Sequence, residues 1–358
     1  MTAKTPWVRE RVRNAARFTL LCSVFGVSLL TASTGLRRLH ARPLPFEVRL
    51  KIDDFARQGP VYNTLFFGSS RIYRHVIPAV FDQEVQKQAQ GMMANSYNFA
   101  FDGMRPPESF YYARKILAQS PPLKWVFIEL CPFHTPLNEQ NAQGERTVGW
   151  HDLSNTMLII RQLLSEKSRE GKISTINFHL QSLLIRSVNL SGGVDLLRRL
   201  QGIESGTLRI PAEWRGHRGY AVNKSAPIEG AKLSKFEAAL DRTKTPAFSP
   251  RPLPPLMREP LISLINEVRS RGATPIFVVP PTIYPAENLA SLRAQGMDAE
   301  MISLSDPVRF PELYVATERA DYDHLIGDGP RVFTLALARE FAARFHPAKP
   351  APDSASEK

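Results

Sequence analysis

A serine hydroxyl attacks an acyl carbon effectively only when an imidazole takes its proton, and that imidazole needs a carboxylate to fix its tautomer. The sequence offers these three groups at two places. Gly68-Ser69-Ser70 follows the apolar run Tyr62–Phe67 (YNTLFF) and precedes a helical pattern, and Asp321-Tyr322-Asp323-His324 stands near the C-terminus. A serine just past a buried strand is lifted out of the sheet's carboxyl edge, and Gly68 permits a tight turn there. Free N–H groups at the start of the next helix are placed to stabilise an oxyanion. Asp321 lies three residues before His324, so a tight loop lets its carboxylate reach Nδ1. Asp323 is adjacent to His324 and reads as a turn or surface carboxylate. Alone, the strand–Gly-Ser-Ser–helix junction reads first as a helix cap, because serine is a favoured N-cap. Taken with Asp-x-x-His, it reads as a triad of Ser70, Asp321 and His324.

Elements that could hold such groups are legible around them. Besides Tyr62–Phe67, the expected strands are Tyr97–Phe101, Trp125–Leu130, Pro275–Val279 and a weaker Met301–Leu304. Near-continuous apolar runs mark strands covered on both faces, as in a parallel sheet. Helical patterns fall at Pro78–Gln88, Pro107–Ala118, Leu256–Ser270 and Arg331–Phe345. Strand–helix alternation predicts right-handed βαβ units in a doubly wound α/β sheet, with its active site at the carboxyl ends of the strands. Residues 139–253 break the alternation. Amphipathic segments at Leu153–Glu166, Ile176–Ser187 and Val194–Leu200, a Gly/Arg-rich loop around Trp214–Tyr220 and a Pro-rich linker at Pro246–Pro255 make a helical insertion. It reads equally as a lid or partner surface and as a packed subdomain with no direct role. The tail, 347–358, is Pro/Ala/Ser-rich and expected to be disordered.

The N-terminus has its own character. Residues 1–17 are basic, and residues 18–34 form an apolar segment (FTLLCSVFGVSLLTA at its heart) that approaches the ~20 residues needed to cross a bilayer. The charge bias places residues 1–17 in the cytoplasm and the rest outside, although Arg37, Arg38 and Arg42 follow the segment. A signal anchor is the first reading. A cleaved signal peptide is the second, though no clean cleavage site follows. A buried core helix is the third. Residues 35–60 then form a basic stem, and 61–346 the main domain. The chain is basic overall, with a formal net charge of +12. It shows no zinc spacing and no ribonucleoprotein aromatic motif, so nucleic acid is not an expected partner. Cys22 lies in the apolar segment and Cys131 ends a strand, positions that suit neither a disulfide nor a metal site. No metal or other cofactor is expected.

The chain resembles the SGNH (GDSL-type) hydrolase superfamily over roughly residues 60–135 and 255–345. Phe66-Phe67-Gly68-Ser69-Ser70-Arg71 is similar to the first block of that superfamily, with Ser69 at its usual Asp position. Tyr97-Asn98-Phe99-Ala100-Phe101-Asp102-Gly103 is similar to the second, and Asp321-x-x-His324 to the fifth. The resemblance implies a flavodoxin-like parallel sheet and an oxyanion hole drawn from the N–H groups of Ser70 and Gly103. Gly-Ser-Ser-Arg and the Asp-x-Asp-His-Leu ending look like the envelope branches, the alginate O-acetyltransferase-like and teichoic-acid D-alanyl transfer proteins. These imply an esterase or O-acyltransferase in the bacterial inner membrane, its catalytic domain in the periplasm. It would act on a cell-envelope glycan through a Ser70 acyl-enzyme, with a multi-span membrane acyltransferase as candidate partner. The alternative is a non-catalytic module that binds polymer or partner. One departure stands out. The third block usually supplies an oxyanion-hole Asn, and here the strand ends Ile128-Glu129-Leu130-Cys131-Pro132-Phe133-His134. His134 is then a candidate donor or substrate contact, or simply a loop histidine. Arg71 either pairs with Glu129 or faces an anionic substrate.

Overall fold

The computed structural model describes residues 6–39, 44–57, 61–131, 137, 141–165, 171–188, 211, 214, 216–243, 255–284, 292–293, 296–297 and 299–345. The candidate contact His134, the expected helix at 194–200, residues 246–254 of the Pro-rich linker and the tail lie outside them. The chain forms two compact units, one of residues 1–46 with 136–208, the other of 47–135 with 209–358.

The larger unit is built on five parallel strands, β1 (Thr64–Phe67), β2 (Ser96–Asn98), β3 (Trp125–Glu129), β4 (Thr274–Val279) and β5 (Glu300–Ser303), in the order β2-β1-β3-β4-β5. This is a doubly wound order, whose switch point lies between β1 and β3. The strands are short and almost wholly buried because helices cover the sheet. Helices α4 (Pro78–Gln88) and α11 (Gly329–Phe345) pack on each other, as do α5 (Glu108–Leu117) and α10 (Arg258–Ser270). Phe66 and Phe127 are in register on β1 and β3, and their rings stack at 4.5 Å. Phe81 of α4 and Phe341 of α11 close over Phe127 edge-on at 5.4 and 5.2 Å. All four rings are essentially inaccessible to solvent.

The smaller unit is helical among its described residues. A long helix, α1 (Pro6–Leu39), contains a span, Glu10–Gly35, long and apolar enough to cross a membrane. Helices α6 (Glu145–Trp150), α7 (Leu153–Ser165) and α8 (Lys172–Val188) follow from the insertion.

β2 (Ser96–Asn98) is shorter than the expected Tyr97–Phe101, and two larger assignments also differ from the sequence reading. The segment expected to be a stem contains α2 (Phe46–Arg57), whose Val48, Leu50, Lys51, Asp54 and Phe55 are buried. Hydropathy hid this face because two of its five buried side chains are charged; both are satisfied by specific partners. The insertion is also not one body. Residues 136–208 belong with α1, whereas 209–253, including α9 (Gly230–Thr243), belong with the sheet. The larger unit therefore begins before residue 61 and does not include 136–208.

The aromatic cluster yields a direct test. Phe127→Ala removes a ring that stacks across two strands under two helices, and is expected to cost about 3–5 kcal/mol of unfolding free energy. Urea unfolding of the detergent-solubilised chain measures it, and a loss below about 1 kcal/mol would contradict this packing.

Candidate functional site

The turn after β1 is held from below by an acid. Glu129, the last residue of β3, is buried, and its Oε2 accepts the Ser69 N–H at 2.5 Å. Its Oε1 accepts from the Ser69 hydroxyl at 3.1 Å and from Arg71 Nε at 2.8 Å. A Cβ on Gly68 would stand 2.6 Å from Glu129 Oε2 and 2.7 Å from its Cβ. Glycine is thus required at this position by the closeness of a neighbouring strand, and Gly68 is not among the residues with positive φ. Ser69 caps the next turn, its hydroxyl accepting from Arg71 N–H at 3.3 Å. That turn, α3 (Ser70–Tyr73), is only four residues long; the expected longer helix starts at Pro78. Any oxyanion stabilisation here comes from individual N–H groups near Ser70, since so short a helix has little macrodipole.

The two ends of the sequence motif meet. Ser70 Oγ lies 2.6 Å from His324 Nε2, and His324 Nδ1 lies 2.8 and 2.9 Å from the two Asp321 oxygens. Asp321 Oδ1 also accepts the N–H groups of Asp323 and His324. Burial raises the Asp321 pKa, but the hydrogen bonds from the His324 ring and these two N–H groups outweigh it and hold the carboxyl at about 2. A carboxylate that stays ionised fixes His324 with its proton on Nδ1, leaving Nε2 free to accept from Ser70.

The Asp321–His324 loop is pinned from behind. Arg319 is fully buried; it donates to the carbonyls of Tyr322 and Leu313, and its guanidinium lies over Phe236 and Tyr314. Ala320 N–H reaches His324 O, and Ile326 N–H reaches Glu318 O, closing the loop as a short antiparallel pair. Behind His324, buried His75 accepts the Leu325 N–H on Nε2 at 2.9 Å. Burial pulls the His75 pKa well below 6.5, with help from the His324, Arg319 and Arg71 charges and against Asp321, so its ring is neutral.

The turn carrying Gly103 is held by a second buried device. Asn98 donates to the carbonyls of Ile72 and Val76 and accepts Ala100 N–H, tying the Ser70 turn to the end of β2. Lys51 of α2 donates to the carbonyls of Asn98, Ala100 and Gly219, and its ammonium lies 4.2 Å from the Tyr73 ring centre and 4.6 Å from that of Phe101. Burial lowers the Lys51 pKa well below its ordinary value, opposed by Asp102, Glu47 and Asp54.

These residues open onto a cavity of about 600 Å³ lined by Ser70, Gly103, Asp321 and His324, and walled by Arg74, Asp102 and residues 222–225. Gly103 has φ of +66°, a conformation other residues rarely adopt. Arg74 Nε and Nη2 bind both oxygens of Asp102, and Nη1 reaches the Val222 carbonyl. Asn223 donates to Leu325 O and Ile228 N–H to Arg319 O, so the 222–228 strap is fastened to the His324 loop. Among the sequence candidates, Ser70, Gly103, Asp321 and His324 are thus brought to one cavity. Arg71 does not line it; its guanidinium is taken by Glu129, with Asp323 at 3.8 Å. Asp323 also accepts from Thr282, so it is turned toward Arg71 and β4's end. Arg74, Asp102 and the strap were missed by sequence reasoning. Arg74 falls three residues after Arg71 in a segment with no distinguishing pattern, and the strap lies in the segment read as an insertion.

No protein-family model matches the chain, and no curated protein matches it.

Two tests follow. Gly68→Ala forces apart β1 and Glu129 and is expected to cost about 1–3 kcal/mol by overpacking, with loss of the Ser70 geometry; unchanged unfolding in urea would contradict the contact. His75, whose folded pKa is lowered, contributes stability that is fully present above pH 6.5 and declines as pH falls below it, because the unfolded chain then takes a proton the folded one refuses. His75→Gln should flatten the stability profile below that pH, and an unchanged slope would contradict a neutral buried ring.

Proposed function

We propose that this chain is an SGNH-type serine esterase or O-acyltransferase, held by α1 at the bacterial inner membrane, acting outside the cytoplasm on an acylated cell-envelope glycan. The observation that carries the reading is the hydrogen-bonded line Ser70 Oγ–His324 Nε2–His324 Nδ1–Asp321, at 2.6 and 2.8 Å, opening onto a polar cavity. The order Ser…Gly…Asp-x-x-His at the carboxyl edge of a parallel sheet supports the superfamily, and the apolar span Glu10–Gly35 supports anchoring. Lined by Asp102, Asn223, Lys224 and Ser225, the cavity suits a hydroxyl-rich substrate better than a fatty one.

The chemistry runs in two halves. Ser70 Oγ adds to the ester carbonyl as His324 Nε2 takes its proton, and the oxyanion meets the N–H groups of Ser70 and Gly103. Collapse breaks the ester C–O bond, and His324 returns the proton to the leaving alkoxide. The acyl group now sits on Ser70. Water or a sugar hydroxyl then adds, giving its proton to His324, and Ser70 leaves with that proton. The acceptor alone separates hydrolase from transferase. The 222–228 strap beside Ser70 shields one side of the cavity, which favours transfer. A multi-span membrane acyltransferase that supplies the acyl donor would be the natural partner for this second role.

A rival reading is a non-catalytic module that binds polymer. It is favoured by the end of β3, where Glu129 is committed to Ser69 and Arg71 and the sequence 128–134 holds no Asn. Fluorophosphonate labelling separates the two. Wild type should label, Ser70→Ala should not, and an unlabelled wild type would leave only the module. Asp321→Asn, which lets His324 take the wrong tautomer, should slow ester turnover by roughly 10³–10⁴. Because Asp321 titrates near 2, its hold on His324 should persist down to acidic pH and be lost only as pH falls from about 4 through 2. Urea unfolding of wild type against Asp321→Asn should show a stability gap at pH 7 that closes across that window; a constant gap would contradict an ionised Asp321. Incubation with acetyl esters and oligosaccharide acceptors distinguishes transfer from hydrolysis, with hydrolysis alone across acceptors removing the transferase reading.

A further inference from the structure

In the smaller unit, α7 and α8 carry more apolar surface than their own packing uses. Their inner faces are complete: Ile159, Ile160 and Leu163 of α7 are buried, and His179 and Ser182 of α8 are closed over by His151 and the Ala142 carbonyl. Outside, Leu153, Met157 and Leu164 of α7 are exposed, as are Ile173, Leu180 and Leu184 of α8, with Ile173 at 77% and Leu164 at 66%. Each trio repeats at intervals of four and seven residues, which puts it on one helix face. Neither helix contains an acidic residue, while Arg161, Lys172 and Arg186 give both a cationic character. The end of α8 is tied to the end of the apolar helix: Ser33, near the close of the Glu10–Gly35 span, is buried and its hydroxyl donates to the Ser187 carbonyl.

We propose that α7 and α8 form a second membrane-binding element that lies in the outer headgroup region of the bilayer through which α1 passes, with anionic lipid as its partner. This rests on the reading of α1 as a membrane anchor. If α1 spans, Ser33 stands at the outer boundary, and the hydrogen bond from Ser33 to Ser187 brings the end of α8 to the same depth. Exposed leucines and isoleucine on helix faces free of carboxylates are then what an interfacial helix presents to acyl chains, with the exposed Arg161 reaching phosphates. A soluble protein partner would not account for the missing acids or for the join to α1. The consequence is that the smaller unit is fixed to the membrane plane by more than a single helix.

The full-length chain, reconstituted in nanodiscs of phosphatidylcholine and phosphatidylglycerol, tests this by site-directed fluorescence. An environment-sensitive probe is placed at Cys22 in the native chain. In a Cys22→Ser background, Leu180→Cys, Leu184→Cys and Leu164→Cys each carry it, with the exposed Lys235→Cys of the other unit as the aqueous control; Cys131 is buried. Expected are a blue-shifted emission at 164, 180 and 184 and quenching by nitroxides near the lipid headgroup, with Cys22 quenched by deeper nitroxides. Removing phosphatidylglycerol should weaken the shallow quenching. Water-like emission at 164, 180 and 184 with Cys22 still deep would overturn the interfacial element and leave the anchor standing. A blue shift without lipid quenching would mean that protein covers the face, and would overturn it too. Cys22 outside the bilayer would remove the anchor and this inference with it.

Discussion

The carboxylate of Glu129 is the interaction on which the larger unit's geometry turns. A buried acid at the end of a central strand is costly unless every lone pair is used, and here Ser69 N–H, the Ser69 hydroxyl and Arg71 use them. Satisfying that one group dictates its neighbours. Gly68 can have no side chain, the Ser69-Ser70 turn cannot rotate, and Arg71 is drawn inward to neutralise the charge rather than outward to substrate. The serine proposed as nucleophile is therefore placed by electrostatics beneath it as much as by the strand before it.

The same logic recurs around the cavity. Buried polar groups that are hydrogen-bonded can fix a turn more sharply than apolar packing, because each donor admits few directions. Lys51 gathers three carbonyls where the Gly103 turn meets the chain at Gly219, and Asn98 joins that turn to the Ser70 turn. Arg319 and His75 do the corresponding work for the His324 loop. Each proposed reacting group thus has its own polar support, and the supports reach it from different parts of the chain.

The smaller unit follows a different rule. Its helices bury one face against each other and leave a second apolar face uncovered, beside a helix apolar enough to lie in lipid. Where the larger unit buries several charged side chains (Lys51, Asp54, Glu129 and Arg319), the charged residues of the described helices α7 and α8 are all cations.

Periodicity and motif spacing determined a good deal from the sequence alone. The five strands fell where apolar runs ended in turns, since a strand buried on both faces needs such a run. Asp321-x-x-His324 declared its geometry because three residues on a tight loop leave little freedom. Tertiary structure decided what depended on partners distant in sequence. Whether Ser70 was a cap or a group facing His324 turned on a partner 254 positions away in the chain. Arg71's choice between Glu129 and a substrate, left open by the sequence, was settled by the buried Glu129 carboxylate, and Arg74 reached the cavity wall through Asp102. Helix α2 looked like a stem because Lys51 and Asp54 face inward, and a charged residue reads as exposed until the carbonyls and the Tyr97 hydroxyl that receive it are in view. The insertion divided for the same reason: its segments are sorted by the surfaces they contact, and those surfaces come from elsewhere in the chain.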